Sequence, residues 1–597
     1  MTLVFVDWIS IIAFFVVSIA IGVIVSKKAG SSAAEFFASG RSMPWWILGV
    51  SMVATTFSAD TPNLVTDIVR QHGVSGNWLW WAFLLTGMVT VFIYAKLWRR
   101  SNVLTDIEFY ELRYSGKAAA FLRGFRALYL GVFFNVIIMA TVLLAAIKIG
   151  SVVLGIEPYK TVIIASVVVT IYSILGGLRG VLLTDFLQFI IAMVGAVAAA
   201  IIVVDLPAVG GLQGLLKHPN VRDSISFIPD FSDSSHLITV FIIPLAVQWW
   251  SVWYPGAEPG GGGYIVQRML AAKNEKHAMG ATMLFNVAHY ALRPWPWIIV
   301  ALTSLVVFPD LASIKEAFPN IPPNYLRNDI AYSAMLTYLP AGLLGLMIAS
   351  LIAAVMSTIS THLNWGASYI VNDFYKRFIR KDPSDKEQVF AGRISILVLM
   401  VLAALIALVL RNALQAFHIL LQVGAGTGLL FLLRWFWWRI NPISEITAMV
   451  ISFLVAVYFE IIHVKIGLEP LVEWQRLIIG VGITSVTWIS VTFLTKPSDL
   501  KTLINFIRKV NPGGPGWKAV IKSAEEKGED VALLKKTKWD VPTGILGAFF
   551  GLMFILSLLF STGYWIYSKT FPAVVTIVTA LISGICLFHI WRKIKFS

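Results

Sequence analysis

The sequence predicts an all-α polytopic membrane protein of fourteen or fifteen membrane-crossing helices, ten of them forming two inverted five-helix repeats. Three observations carry this. The 597-residue chain is 58% hydrophobic and 13% charged, more apolar surface than a soluble domain can bury. Apolar runs of bilayer-spanning length centre near residues 15, 56, 88, 138, 169, 193, 246, 293, 355, 401, 425, 452, 485, 553 and 580. The basic residues gather in loops that alternate with acidic or mixed ones.

The first run, "VDWISIIAFFVVSIAIGVIVS", is followed by Lys27 and Lys28. A cleaved signal would carry its positive charges before the apolar run, so this reads as a retained helix with its N-terminus outside. On that orientation "KLWRR" (96–100), "RMLAAKNEKH" (268–277), "YKRFIRKD" (375–382), "RWFWWR" (434–439) and the Lys-rich stretch 496–540 all fall on the cytoplasmic side. The opposite loop, 205–235, holds Asp205, Asp223, Asp230 and Asp233. An odd number of spans returns "WRKIKFS" to the inside. The net charge of +15, from 47 basic and 32 acidic residues, is therefore a topology signal and not a nucleic-acid surface. A single cysteine, Cys586, excludes an intrachain disulfide and a cysteine-rich metal site.

The chain divides accordingly. Residues 1–35 are an extra N-terminal helix and 36–205 the first repeat. An external loop spans 206–235 and the second repeat 236–440. Peripheral helices occupy 441–495, a basic cytoplasmic connector 496–540, and two C-terminal helices 541–597.

Two spans look broken at comparable places. The second contains "ATTFSADTPN" (54–63) and the seventh "WYPGAEPGGGGY" (253–264). Proline, glycine and small polar residues at mid-span free backbone groups, tolerable only where they line a cavity. Breaks five spans apart are expected of inverted repeats whose opening helices are discontinuous at a midplane site. For 260–263 the alternative is a loop beyond the span.

The ninth span, "AGLLGLMIASLIAAVMSTISTHLNWGASYIVNDFYKRF" (341–378), sets Ala354, Ser357, Thr358, Ser360 and Thr361 at i+3 and i+4 spacings, so most share one face. Hydroxyls and a freed carbonyl are the hard oxygen ligands a small alkali cation takes. The same face also serves close helix packing. Asp185, in "GGLRGVLLTDFLQF" (176–189), is an intramembrane carboxylate and so a functional candidate, with pairing to Arg179 as the structural alternative. Arg293, in "HYALRPWPWIIVAL" (289–302), lies about 22 Å along a helix from the nearest cytoplasmic loop, too deep to snorkel easily. It is a candidate carboxylate clamp, with pairing to Glu258 or Asp60 as the alternative. Trp249, Trp250, Trp253 and Tyr254, with Gln248 and Gln422, are candidate pocket residues.

Several stretches in order resemble the sodium:solute symporter family over roughly residues 5–440. "FFASGRSMPWWILGVSMVATTFSAD" (36–60) is similar to its first core helix and "GGLRGVLLTDFLQ" (176–188) to the start of its fifth. "YIVQRMLAAKNEKHA" (264–278) is similar to the loop after the sixth, and "AAVMSTIST…NDFYKRF" to the eighth. The resemblance implies the leucine-transporter-type fold and sodium-coupled import of a small organic solute (sugar, amino acid or carboxylate) by alternating access. It maps the main sodium site onto the carbonyls of Ala54, Phe57 and Ala354 and the hydroxyls of Ser357 and Thr358. A second sodium site maps onto Asp185, Ser360 and Thr361, giving one sodium ion per cycle with capacity for two.

Substrate positions map onto Thr61 and Gln422, joined by Trp253, Tyr254 and Arg293 from the residue reading. Asp60 and Glu258 are expected gate residues. The acid that sugar transporters of this family place on the second core helix is missing from "NWLWWAFLLTGMVTVF" (77–92), and their lysine falls near Ala291, so galactose specificity does not carry over. The expected setting is the inner (plasma) membrane of a bacterium, with the chain acting as a monomer among lipid, sodium and solute.

Other readings stay open. A proton-coupled variant would use Asp185 or Asp60 as carrier. A sensing receptor would need a larger signalling module than 496–540. An intramembrane enzyme would need a clustered site, whereas His289, His362 and His418 sit on different spans with no HExxH-type spacing.

Overall fold

The structure, a computed structural model, describes residues 3–596 except 30, 57, 252–257, 320, 322, 324–325, 411–421, 470, 532–538 and 595. The described residues form helices and connecting segments without a strand; one isolated bridge joins Met43 to Ala272. Helix α1 (Phe5–Ala29) precedes the first repeat. That repeat comprises α2 (Trp45–Thr56), α3 (Asp60–His72), α4 (Val74–Ser101), α5 (Gly116–Leu154), α6 (Pro158–Ile174) and α7 (Gly177–Val204). The second comprises α8 (234–251), α9 (Gly263–Ala271), α10 (Glu275–Val307), α11 (Leu343–Ile379), α12 (Asp385–Val409) and α13 (Gly428–Leu433). Then follow α14 (Pro442–Ile462), α15 (Glu473–Leu494), α16 (Leu500–Val510), α17 (Lys518–Glu526), α18 (Val541–Ile566) and α19 (Thr570–Lys593).

Eleven of these helices are long and apolar enough to cross a membrane alone. Helices α2 and α6 are shorter, α2 being continued by α3 beyond a break. Gly177, at φ +51°, turns the chain between α6 and α7, a backbone angle that L side chains rarely adopt.

Both predicted breaks are present. Helix α2 stops at Thr56 and α3 begins at Asp60. The second interruption lies between Ser251 and Gly263. In its described part 258–262 are non-helical and Gly260–Gly263 are buried, so this stretch is a loop packed inside the protein. Gly260 (φ +85°) offers its carbonyl to Trp98 Nε1 at 2.8 Å, and a Cβ there would sit 3.1 Å from the Tyr94 ring. The glycines let an irregular backbone lie against α4.

Helix α11 is the axis of the bundle. Of its apolar stretch 83% is buried, against 17% for α19, so α11 faces protein and α19 faces lipid. It packs on α1, α2, α5, α7 and α12. The connector docks on the bundle: Leu503, Ile504, Phe506, Ile507 and Val510 of α16 are buried, and the Trp517 ring lies under the Arg113 guanidinium, 4.9 Å from its centroid. Its amphipathic face therefore covers protein.

Asp7 of α1 is buried, and its Oδ1 accepts the backbone N–H of Gly342 (2.7 Å) and Gly345 (2.8 Å). This satisfies donors that the start of α11 leaves open. A Cβ on Gly345 would meet Asp7 Cα at 2.4 Å, so α1 approaches α11 as closely as glycine allows. Asp7→Ala is expected to cost about 1–2 kcal/mol of stability. Thermal unfolding in detergent, followed by size-exclusion fluorescence, checks this; an unchanged midpoint would show that the cap is not stabilising.

Candidate functional site

A helix that ends inside a membrane leaves carbonyls without partners, and each costs several kcal/mol if left bare. The end of α2 shows where they go. Thr358 Oγ1 of α11 donates to the Thr55 carbonyl at 2.8 Å. Arg293 of α10 donates from Nη1 to the Val53 carbonyl (3.2 Å) and from Nη2 to the Thr56 carbonyl (3.3 Å). The Thr56 hydroxyl bonds the Tyr264 hydroxyl of α9 at 2.9 Å. Three helices thus converge on the last turn of α2, where the resemblance maps the carbonyl of Ala54. Phe57, its expected partner in the sodium site, lies outside the described residues.

This changes the reading of Arg293. It is fully buried, stacks 5.2 Å from the Trp297 ring centroid and touches the His289 ring. Its guanidinium caps the carbonyl end of α2, which carries negative partial charge, and it is not among the residues lining the cavity described next. In these contacts Arg293 acts as a helix cap. The cause is the break itself, whose exposed carbonyls attract the nearest buried donor.

Beside the break lies a cavity of about 180 Å³. Thr56, Ser58, Asp60, Thr61 and Asn63 line it from the break and the first turn of α3. Trp80 of α4, His289 of α10, Tyr264 of α9, and Thr358 and His362 of α11 complete the deep end. Lys148 and Asp329, paired at 2.5 Å, and Asp67 line the end away from the basic loops. Thr61, a substrate position by the resemblance, lines this cavity. Asp60, expected as a gate, lines the cavity. Its Oδ1 and both polar atoms of the Asn63 side chain have no hydrogen-bond partner among the described residues.

Gln422, expected in the same pocket, lines an adjoining cavity of about 180 Å³ that shares Leu64, Asp67 and Trp80 with the first. Its Nε2 donates to the Arg476 carbonyl at 3.1 Å. Trp253 and Tyr254 lie outside the described residues.

Below the cavity, toward the basic loops, buried polar contacts join the helices. Glu258 pairs with Arg126, and the Tyr114 hydroxyl donates to Glu445 at 2.6 Å. Asp106 accepts the Gly263 N–H at 2.8 Å, and the Tyr369 hydroxyl as well, pinning the start of α9. Burial pushes the Asp106 carboxyl up to about 6. Glu258, expected as a gate residue, is thus held in a buried ion pair with Arg126.

The hydroxyl face of α11 meets α2 and α7 on the other side of the break. Ser357 donates to Asp185 Oδ1 at 2.6 Å, and Ser51 donates to Oδ2. Asp185 is fully buried and does not use Arg179, which lies 3.8 Å from Glu35. Its basic neighbour is Arg268, at 3.7 Å. Arg268 Nη2 also donates to Thr361 Oγ1 at 2.7 Å. Ser360, expected beside Thr361 in a second sodium site, turns its hydroxyl to the Ser357 carbonyl at 3.1 Å.

The sequence reading counted Arg268 among the charges of the 268–277 loop. The structure buries it completely, because α9 is a half-helix inside the bundle. Tyr264, Trp80 and Asn63 were not singled out at all, since nothing in their local pattern marks them; they become cavity residues only when the helix breaks bring four elements together.

A solute-sized cavity at a helix break, beside a hydroxyl-lined meeting of α2 and α11, is the arrangement of an ion-coupled alternating-access transporter. The chain belongs to the sodium:solute symporter family, whose model matches residues 36–452, and it is a sodium-coupled solute symporter. A sodium/glucose cotransporter of Vibrio parahaemolyticus is 25% identical over 473 residues, covering 76% of this chain and 85% of that protein. Sodium/glucose cotransporter 1 of Oryctolagus cuniculus is 26% identical over 536 residues, covering 82% and 78%. The structure of a Na+-coupled sialic acid symporter in a substrate-bound outward-open state superposes with a TM-score of 0.66 at 20% identity, covering 83% of this chain and 99% of that one, and supports the fold.

The two roles considered for Arg293 separate cleanly. As a cap, Arg293→Gln removes charged hydrogen bonds worth about 1.5–3 kcal/mol. It should lower the unfolding midpoint and weaken sodium activation through the carbonyls of α2, while the order of preference among solutes stays native. Uptake competition in proteoliposomes reads this; an altered solute order would restore the clamp.

Proposed function

We propose that this symporter carries a small neutral, hydroxyl-rich solute inward, driven by sodium bound between α2 and α11. The carrying observation is the cavity wall: Asp60, with an unpartnered Oδ1, and Asn63 face it together with His289, His362 and the Trp80 ring. Carboxylate and amide groups accept and donate to hydroxyls, and an indole face suits the C–H face of a ring. The nearest cavity cation, Lys148, is already paired with Asp329, and Arg293 is engaged elsewhere. An anionic solute would meet Asp60 and Asp67, with Lys148 already taken by Asp329, which favours the sugar or polyol option over the carboxylate one. The relatives named for glucose agree in kind.

The main sodium site uses the Ala54 and Ala354 carbonyls with Ser357 and Thr358, with Phe57 completing it by resemblance. Thr358 already spans to the Thr55 carbonyl, so a cation there joins α2 to α11 and favours the state with the basic side sealed. Losing the ion lets the helices part, which is differential binding to two states. With the basic loops in the cytoplasm of a bacterial cell and the chain acting as a monomer, each sodium entering through 100 mV contributes about 2.3 kcal/mol.

Uptake in proteoliposomes with a panel of labelled sugars, polyols, amino acids and carboxylates, with and without a sodium gradient, tests the reading. Sodium-driven uptake of a hydroxyl-rich neutral solute is expected, and preference for a carboxylate would overturn the substrate class. Thr358→Val, which keeps the shape but drops the hydroxyl, should raise the sodium concentration for half-activation at least about tenfold, the equivalent of 1.4 kcal/mol. Native sodium dependence in this variant would remove Thr358 from the site.

A further inference from the structure

A third cavity, of about 120 Å³, lies among α1, α5, α6 and α11. Ile348, Leu351, Ile352, Val355 and Met356 of α11 form its floor. The first four stand at i, i+3, i+4 and i+7, one face of the helix. Ser357, which meets Asp185, lies on the opposite face. Phe15 of α1, Ala146 and Gly150 of α5, and Ala165 and Val168 of α6 make the walls. Of the described lining residues only Thr161 is polar, and its hydroxyl donates to the Glu157 carbonyl at 3.5 Å. A buried water takes two to four polar partners, so these walls do not suit water.

The mouth opens on the lipid side. Ile164, at the rim, is 55% exposed, and Ile163, Val167 and Ile171 continue an exposed apolar strip along α6. Ile12, Val16 and Ile19 do the same on α1. The medium at this rim is therefore hydrocarbon. At the end away from the basic loops, Ile156 and Thr161 line the cavity between Glu157 and Lys160. That pair, 2.9 Å apart, has both side chains more than half exposed, and the Tyr159 ring lies beside Lys160. An exposed tyrosine with a charged pair is the chemistry of a headgroup boundary.

We propose that this crevice binds one acyl chain of a phospholipid from the leaflet on the side away from the basic loops. Apolar walls open to hydrocarbon take a chain, which restores the packing density of an interior. The floor from Ile348 to Met356 runs about 12 Å along α11, so a stretch of extended chain lies along it. Lys160 and Glu157 offer opposite charges to the phosphate and the ammonium of a zwitterionic headgroup. The chain packs on Val355 and Met356, the two residues between Ala354 and Ser357. On the main-site reading above, and for this consequence only, the lipid backs the turn of α11 that carries the ion.

The test maps where lipid touches the protein. The full-length chain is placed in nanodiscs of phosphatidylethanolamine and phosphatidylglycerol, with a phosphatidylethanolamine that bears a diazirine in mid-chain. After photolysis, the label is located by tandem mass spectrometry. Label is expected on Leu351, Val355 and Met356, which are buried within the protein, while the exposed Leu581 and Ile585 of α19 report ordinary lipid contact. Ala165→Trp, which fills the crevice from α6, should lose the α11 label and keep that on α19. An unlabelled α11 in the native protein, or an undiminished α11 label in Ala165→Trp, overturns the proposal. If Ala165→Trp does not fold, Ala165→Leu takes its place, and if neither folds the native map decides alone. A disulfide-linked dimer of Ile164→Cys in a Cys586→Ser background, with α11 unlabelled, would give the crevice to a second copy of the chain and overturn the proposal. The label reports lipid contact and not transport, so its outcome is independent of the solute and sodium readings.

Discussion

Hydrogen bonds that the interrupted helix α2 cannot make for itself organise this protein. In a bilayer, backbone groups freed by a break find partners in protein or the break does not survive. The carbonyls of Val53, Thr55 and Thr56 are met by Arg293 from α10 and Thr358 from α11, while the Thr56 hydroxyl meets Tyr264 from α9. Those contacts bring together the helices that wall the cavity and the hydroxyls that face a cation. Solute cavity and ion site are two sides of one interruption, so binding on one side alters the geometry of the other.

The buried charges follow the same logic. Asp185 balances Arg268, Glu258 balances Arg126, and Asp329 balances Lys148. They are spread from the ion site to the two ends of the pathway. The Lys148–Asp329 pair lines the cavity end away from the basic loops, while Arg126–Glu258 lies on their side. Breaking a buried pair strands a charge at a cost of several kcal/mol, so movement between states must exchange partners and not merely separate them. A cation bound at the α2–α11 contact, as proposed, would bias that exchange through Ser357 and Asp185.

Much of this was legible in the chain. Hydropathy and the basic loops gave the spans, because every lipid-facing segment must be apolar over a set length. Proline, glycine and small polar residues at mid-span located both breaks, the first opening at Ser58 and Ala59 with Pro62 in the first turn of α3; the turn at Gly177 is a local necessity of the backbone. The hydroxyl face of α11 and the isolated carboxylate of Asp185 stood out as residues too polar for their depth. The partners did not. Arg179 and Arg268 are both basic residues near a span end, and sequence separation does not reveal that the first lies near Glu35 and the second is swallowed by a half-helix. Gln422 and Thr61 both suit a pocket, yet they line neighbouring cavities.

The arginine in "HYALRPWPWIIVAL" marks the boundary. The sequence by itself determined that this protein is a membrane-embedded helical bundle with two broken helices, a hydroxyl-rich face and buried charges that require partners, because burial, helix periodicity and backbone angles are properties of neighbours along the chain. Only the tertiary structure decided that Arg293 caps α2, that Arg268 meets Asp185 and that Asp60 walls the cavity. Which donor reaches which orphaned carbonyl depends on how helices cross in space, and a crossing is made by residues hundreds of positions apart.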